Sequence, residues 1–263
     1  NHFLQDSSRG NTKVLSSDSD AAESTYTNMV ESFDTNGFTV GFDGGQVPNF
    51  NGNTFVGWQW KANGGTTSSN SSGSITSTVQ ANTDAGFSIV TYTGNGTDGA
   101  TVGHGLGEVP AMVLFKCRDT GNTDWRTYHQ SISPTNAISL NSGGAAYGAS
   151  SVFGGTFTST LLKVENNTGV NRNTSPMIAY CWAEKQGYSK FGKYVGNGNA
   201  NGPNVYTGFK PAFLMIKVTN TSGNWFMTDH KRNPFNLTDD WLVANGSGAE
   251  TNVLNASSVD YLS

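Results

Sequence analysis

The 263-residue chain carries 15 basic and 19 acidic residues, a formal net charge of -4, 13% charged and 11% aromatic residues, 33 Gly and 2 Cys. With no run of either sign it lacks the positive footprint that phosphate backbones require, so no nucleic acid is expected as a partner. No stretch approaches the roughly 20 apolar residues that span a bilayer, so no membrane insertion is expected, and two Cys cannot build a disulfide framework.

Gly, Asn, Ser and Thr are abundant while Glu, Lys, Leu and Ala, the builders of exposed helices, are scarce. Six Trp are more apolar material than a disordered linker holds. Both facts predict an all-β chain of many short strands with Gly/Asn turns.

Taken in chain order, Asp6-Ser7-Ser8-Arg9-Gly10 comes first, followed by an apolar pair and the small-residue corner Ala22-Glu23. Phe55 to Trp60 sets aromatics on alternating residues and is expected to form a buried strand. Residues 63–85 are rich in Ser, Thr, Asn and Gly and read as a linker with one edge strand over 74–80. Gly86 to Thr93 is rich in β-branched and aromatic residues and ends at Gly94-Asn95-Gly96, predicting strand, tight turn, strand. Ala111–Cys117 and Ala212–Val218 are nearly continuous apolar runs opened by Pro110 and Pro211, hence central strands. Leu161 to Val164 and Met177 to Trp182 complete the middle of the chain, and Asp229-His230-Lys231-Arg232-Asn233 with Ala249-Glu250 echoes the opening segment.

These landmarks repeat. Pro110 to Pro211 and Lys116 to Lys217 are each 101 residues apart, Trp125 to Trp225 is 100, and Trp60 to Trp182 is 122. The spacing divides the chain into 1–62, the C-terminal part of a first β-sandwich repeat; 63–85, the linker; 86–185, a complete second repeat; and 186–263, the N-terminal part of a third that continues with a sequence like Asn-Gly-Phe. The first junction is expected to hinge and the second, which has almost no linker, to be rigid. The predicted fold class is all-β, as tandem antiparallel β-sandwich repeats of jelly-roll or lectin-like type.

The segments from Gly103 to Arg118 and from Tyr206 to Lys217, each followed by Trp125 or Trp225, carry a resemblance. The chain resembles the repeated β-rich, concanavalin A-like domain of large tail-fibre-like virion proteins of marine and cyanobacterial tailed phages, over nearly its whole length. His104 departs from the pattern between repeats, so the shared fold does not depend on it. The resemblance implies a virion-surface location, other virion proteins as partners, and adhesion to a host cell-surface glycan or envelope receptor. Fibres of this kind commonly form homotrimers, although no heptad pattern is present. A purely structural virion protein, a polysaccharide depolymerase and a secreted bacterial adhesin are the alternatives.

Chemistry is sparsely marked. GxSxG, HExxH, Walker and CxxC motifs are absent, and the four His are not spaced as ligands on one element, so no catalytic residue, cofactor or metal is implied and the reading is non-enzymatic. Asp18 with Asp20, and Asp239 with Asp240, carry oxygens of the kind calcium takes, against a default of solvated turn carboxylates. Asp6 with Arg9 and Asp229 with Arg232 read as a recurring structural clamp, for which the middle repeat has His129 and Ile132. Trp60, Trp125, Trp182 and Trp225 are expected in the core. Trp241, Tyr147 and Phe235, in variable segments, are the candidate ligand contacts, because an exposed aromatic face covers the C–H patches of a sugar ring. Cys117 reads as a small buried hydrophobe, with a Cys117–Cys181 disulfide left open.

Overall fold

The computed structural model describes residues 2–42, 48–199, 201–234 and 238–252. Among them every regular element is a β-strand, and every ladder between strands is antiparallel. The first sheet holds β1 (Phe3–Asp6), β2 (Gly10–Ser16) and β3 (Ser24–Thr25), followed by the hairpin of β4 (Val30–Asp34) and β5 (Gly37–Val40). The middle of the chain supplies β6 (Ser68–Asn70), β7 (Ser77–Asn82), β8 (Phe87–Thr93), β9 (Ala100–Gly103), β10 (Met112–Cys117), β11 (Arg126–His129), β12 (Asn136–Ser139), β13 (Tyr147–Gly148), β14 (Leu161–Val164) and β15 (Pro176–Trp182). All but β9 and β14 form one eight-stranded sheet in the order β13-β12-β11-β10-β15-β8-β7-β6. A last sheet runs β16 (Phe213–Lys217), β17 (Trp225–Asp229), β18 (Asp240–Val243), β19 (Thr251–Asn252).

Period-two alternation explains why the large sheet is covered on both faces. Val90 and Tyr92 on β8, Val113, Phe115 and Cys117 on β10, and Met177, Ala179 and Cys181 on β15 point into one core, shared with Val102, Phe153, Phe157 and Leu162 of the β9/β14 layer. Phe87 and Ile89, Met112 and Leu114, Ile178 and Tyr180, and Trp125 just before β11 face a second core, where Leu15, Trp225 and Met227 meet them from the flanking sheets. The large sheet is thus the middle layer of a sandwich.

Five expectations need correction. Ala212–Val218 is not a central strand: among the described residues β16 lies at the edge of the last sheet, with its residues half-buried. Strand β7 is interior, paired to both β6 and β8, with Ile75 and Val79 in the core, so residues 63–85 are part of the fold and not a linker with an edge strand. Alternating small apolar residues sufficed, because cross-strand neighbours supplied the burial that local composition did not signal. Gly94-Asn95-Gly96 does turn, with Gly96 at φ 66°, but β9 leaves β8 and pairs with β14 in the other layer. Phe55–Trp60 is not a strand; Trp60 stays 42% exposed, unlike Trp125 and Trp225 at 0% and 4%.

The expected hinge between the first two segments is absent. Trp125 Nε1 donates to Ser16 O at 2.9 Å, Lys116 Nζ to Asp20 O at 2.9 Å, and Glu23 N to Arg118 O at 2.7 Å. The second junction has matching bonds: Trp225 Nε1 to Ser139 O at 3.0 Å, Lys217 Nζ to Gly143 O at 3.4 Å, Ala146 N to Thr219 O at 2.8 Å. Ser16, Asp20 and Glu23 are each 123 residues before Ser139, Gly143 and Ala146. Buried Ser17 Oγ donates to Ala244 O at 2.7 Å, which ties the last sheet back to the first and closes the three hairpins around the second core. Bonds of this kind at buried positions leave no slack for a hinge.

Candidate contact surface

Charged side chains are used chiefly as fasteners. Asp6 Oδ1 accepts from the backbone N–H of Ser8 and Arg9 at 3.0 and 2.9 Å, the turn geometry that Asp favours. The fully buried Arg9 fork then bonds Asp6 Oδ2 at 2.5 Å, Glu23 Oε2 at 2.8 Å, Leu4 O at 3.0 Å and Tyr180 Oη at 2.9 Å. Tyr180 completes the circuit by donating to Asp6 Oδ2 at 2.6 Å, and Arg118 grips both Glu23 oxygens at 2.9 Å. Burial opposes the Arg9 charge, but Tyr180, Asp6 and Glu23 outweigh it and hold the guanidinium protonated. Burial likewise opposes the Glu23 charge, and the two arginines nevertheless keep its carboxyl below the usual range.

The second clamp repeats this plan nearer the surface. Arg232 bonds Asp229 Oδ2 at 2.8 Å, Glu250 Oε2 at 2.5 Å and Met227 O at 3.3 Å, while Trp58 Nε1 donates to Asp229 Oδ2 at 3.2 Å. In the middle of the chain His129 Nδ1 accepts from Ser131 N at 3.2 Å, taking the turn role of the aspartate. The clamps were legible as Asp/Arg pairs; Glu23 and Glu250 as their third members were not, because the recurring Ala-Glu corner carries no sign of what it faces.

Lys116 and His104 are buried with internal partners, whereas the buried hydroxyls of Ser88, Thr127, Thr228 and Thr238 have none among the described residues. Lys116 Nζ donates to Thr123 O, Thr123 Oγ1 and Asp20 O at 2.5, 3.1 and 2.9 Å; burial lowers its pKa to about 8, so it stays protonated at neutral pH. His104 accepts from Leu106 N on Nδ1 at 3.3 Å, which leaves Nε2–H to donate to Thr158 O at 3.1 Å. Burial holds that imidazole neutral, with a pKa of about 4. Cys117 and Cys181 are free and buried. Cys181 faces Val113, four positions along β10 from Cys117, a separation of about 13 Å that no disulfide spans.

The three candidate ligand contacts fare differently. Trp241 is buried at 7% exposure, edge-on to Phe226 at 4.7 Å, with Nε1 donating to Thr238 O; it offers no face to a sugar. Tyr147 is half-buried under the Arg126 guanidinium, 5.5 Å from its ring, and its Oη accepts from Arg126 Nη1 at 2.8 Å. Neither lies in a loop: Trp241 is on β18, paired with β19, and Tyr147 is on β13, paired with β12, so strand pairing holds both rings against their neighbours. Phe235 lies outside the described residues. Among the described residues no three His, Cys, Asp or Glu converge as a metal-binding group, and Asp239 and Asp240 accept instead from Asn233 Nδ2 at 3.2 and 2.8 Å.

Exposed aromatic rings lie elsewhere. Trp60 packs edge-on against Trp182 and Phe213, at 6.0 and 5.9 Å, and lies 6.4 Å from Phe87. Beside it runs an open groove between residues 61–64 and 81–85, its walls tied by Asn82 Nδ2 donating to Lys61 O at 3.0 Å. Phe55, Tyr188, Tyr194 and Tyr206 are more than half exposed. Alternating aromatics predict a buried strand over Phe55 to Trp60; its rings stay partly outside because the segment has no ladder partner among the described residues.

No curated protein and no solved structure matches the chain. A family model described as a domain of unknown function, DUF7483, matches residues 1–263, and the chain therefore belongs to that family.

Proposed function

We propose that the chain is a non-enzymatic module of a virion fibre, with a structural role first and surface adhesion second. The observation that supports the structural role is the placement of its exposed rings. Phe55, Trp60, Tyr188 and Tyr194 are exposed on segments that lack ladder partners among the described residues, surface of the kind that assembly contacts use. Its ionic side chains serve as internal clamps, which suits a rigid scaffold. Adhesion to a host glycan is favoured by one further feature: half-exposed Trp60 beside a groove lined by Asn63, Asn82, Thr83 and Asp84 pairs an aromatic platform with amide and carboxylate partners for hydroxyls.

Immunogold labelling of tailed virions whose genomes encode the chain tests the structural role. Label on a fibre is expected; intact virions without label refute it. Binding to host and non-host cells and to a glycan array, with and without calcium, tests adhesion. Selective binding weakened at least tenfold by Trp60→Ala is expected, and a folded protein that ignores every cell and glycan removes the adhesive reading alone.

A further inference from the structure

The three hairpins around the second core meet through three equivalent contacts, and one of them is built from different chemistry. At the mouth of each hairpin a carbonyl on the first arm accepts from the second: Leu140 N donates to Trp125 O at 3.1 Å, Ala244 N to Trp225 O at 2.9 Å, and Ser17 N to His2 O at 3.2 Å. His2 therefore holds the place of the two tryptophans, and the spacing agrees, since His2, Ser17 and Asp18 precede Trp125, Leu140 and Asn141 by 123 residues each. Trp125 Nε1 reaches Ser16 O and Trp225 Nε1 reaches Ser139 O in the neighbouring hairpin. The His2 imidazole completes the circle against the backbone of Val243 and Gly246, beside the bond from Ser17 Oγ to Ala244 O at 2.7 Å.

The neutral partner is exchanged as well. Asn141 Oδ1 accepts from Trp125 N at 2.9 Å and Asn245 Oδ1 from Trp225 N at 2.8 Å, whereas the first hairpin has Asp18 at that position. Two junctions thus rest on groups that do not titrate, and the third on a histidine and a carboxylate. His2 Nε2 and Asp18 Oδ1 are both buried with no partner among the described residues, so they do not bond one another. An imidazolium carries N–H on both nitrogens and would hold a buried donor there without an acceptor. Burial is the largest influence on the ring and holds it below the ordinary histidine pKa, with the amino group of residue 1 acting in the same direction; Asp18 and the carbonyls of Val243 and Gly246 favour the charged form and are outweighed.

We propose that the contact between the first and last hairpins is an acid-released latch: neutral His2 closes the ring, and protonated His2 leaves its seat for water and frees residues 242–246 from 14–18, while both tryptophan junctions stay shut. The open form takes the proton more readily, so closure is complete above about pH 6.5, the ordinary histidine value, and weakens as the pH falls below it. Such an opening is local, short of global unfolding. The latch stands without the virion reading.

Hydrogen exchange of the full 263-residue chain, read by mass spectrometry between about pH 7.5 and 5 and corrected for the intrinsic pH dependence of exchange, tests it. Protection of 242–246 and 14–18 is expected to fall with the pH, and that of 136–141, at the junction where Ser139 O receives Trp225, to hold. His2→Trp installs the residue of the other two junctions and is expected to keep 242–246 protected throughout; His2→Gln, which takes no proton, is expected to show no pH dependence at whatever level of protection it has. Acetylation removes the charge of the amino group and is expected to leave the acid opening in place, because the imidazole is the latch. Wild-type protection of 242–246 that ignores pH, an equal fall at 136–141, a fall that persists in either His2 variant, or one that acetylation abolishes overturns the proposal.

Discussion

The two Asp–Arg–Glu clamps form a natural experiment, since one plan is realised at two depths. In the first, the Arg9 side chain is 0% exposed with Asp6 at 5% and Glu23 at 9%; in the second, Arg232 is 13% exposed and Glu250 43%. Arg9→Ala takes the buried guanidinium from Asp6 and Glu23, which keep Tyr180, two backbone N–H groups and Arg118, and removes a donor from Tyr180 Oη and Leu4 O, so a cost at the lower end of the range of about 3–5 kcal/mol for breaking a buried ion cluster is expected. Arg232→Ala leaves Glu250 free to hydrate and Asp229 still bonded by Trp58 and two backbone N–H groups, so about 1–2 kcal/mol is expected. Tyr180→Phe should fall between them, at about 1–3 kcal/mol, because it strips one partner each from Asp6 and Arg9. Urea unfolding followed by tryptophan fluorescence reads all three, with the midpoint shift converted through a common m-value. If Arg9→Ala and Arg232→Ala cost the same within about 0.5 kcal/mol, burial is not what sets the strength of these clamps and the reasoning fails.

Further outcomes follow from the same contacts. His104, held at a pKa of about 4 against about 6.5 when unfolded, makes the unfolded chain the better proton acceptor between those values. Stability should therefore rise with pH across that window by about 3 kcal/mol from this residue, and His104→Gln should flatten the dependence seen in urea midpoints at pH 4 to 7. Both thiols should be inert to a thiol reagent at pH 8 in the native state and titrate as two free groups in denaturant, since burial raises both and takes Cys181 to about 12; one reactive thiol before unfolding contradicts the packing. In Gly94→Ala the new methyl would meet the backbone carbonyl of Arg172, which cannot turn aside, so a loss of about 2–3 kcal/mol is expected by thermal melt, and a neutral result would place the 171–175 turn elsewhere.

Much of the architecture was legible because it depends on local pattern. The apolar runs at Ala111–Cys117 and Met177–Trp182 are buried strands, since a sheet covered on both faces needs apolar residues at successive positions. The buried Trp125 and Trp225 and the Asp–Arg clamps followed from spacing alone. Composition likewise determined that the chain would be built of strands. Tertiary structure alone decided partners and exposure. It put β7 inside the large sheet, sent β9 to the opposite layer, buried Trp241 under Phe226, and left Trp60 half in water although its segment has the pattern of β15. The physical reason is that patterning states which face of a segment prefers burial, whereas a strand exists only when neighbours complete its hydrogen bonds. Those neighbours come from residues up to about a hundred positions away, beyond the reach of local sequence.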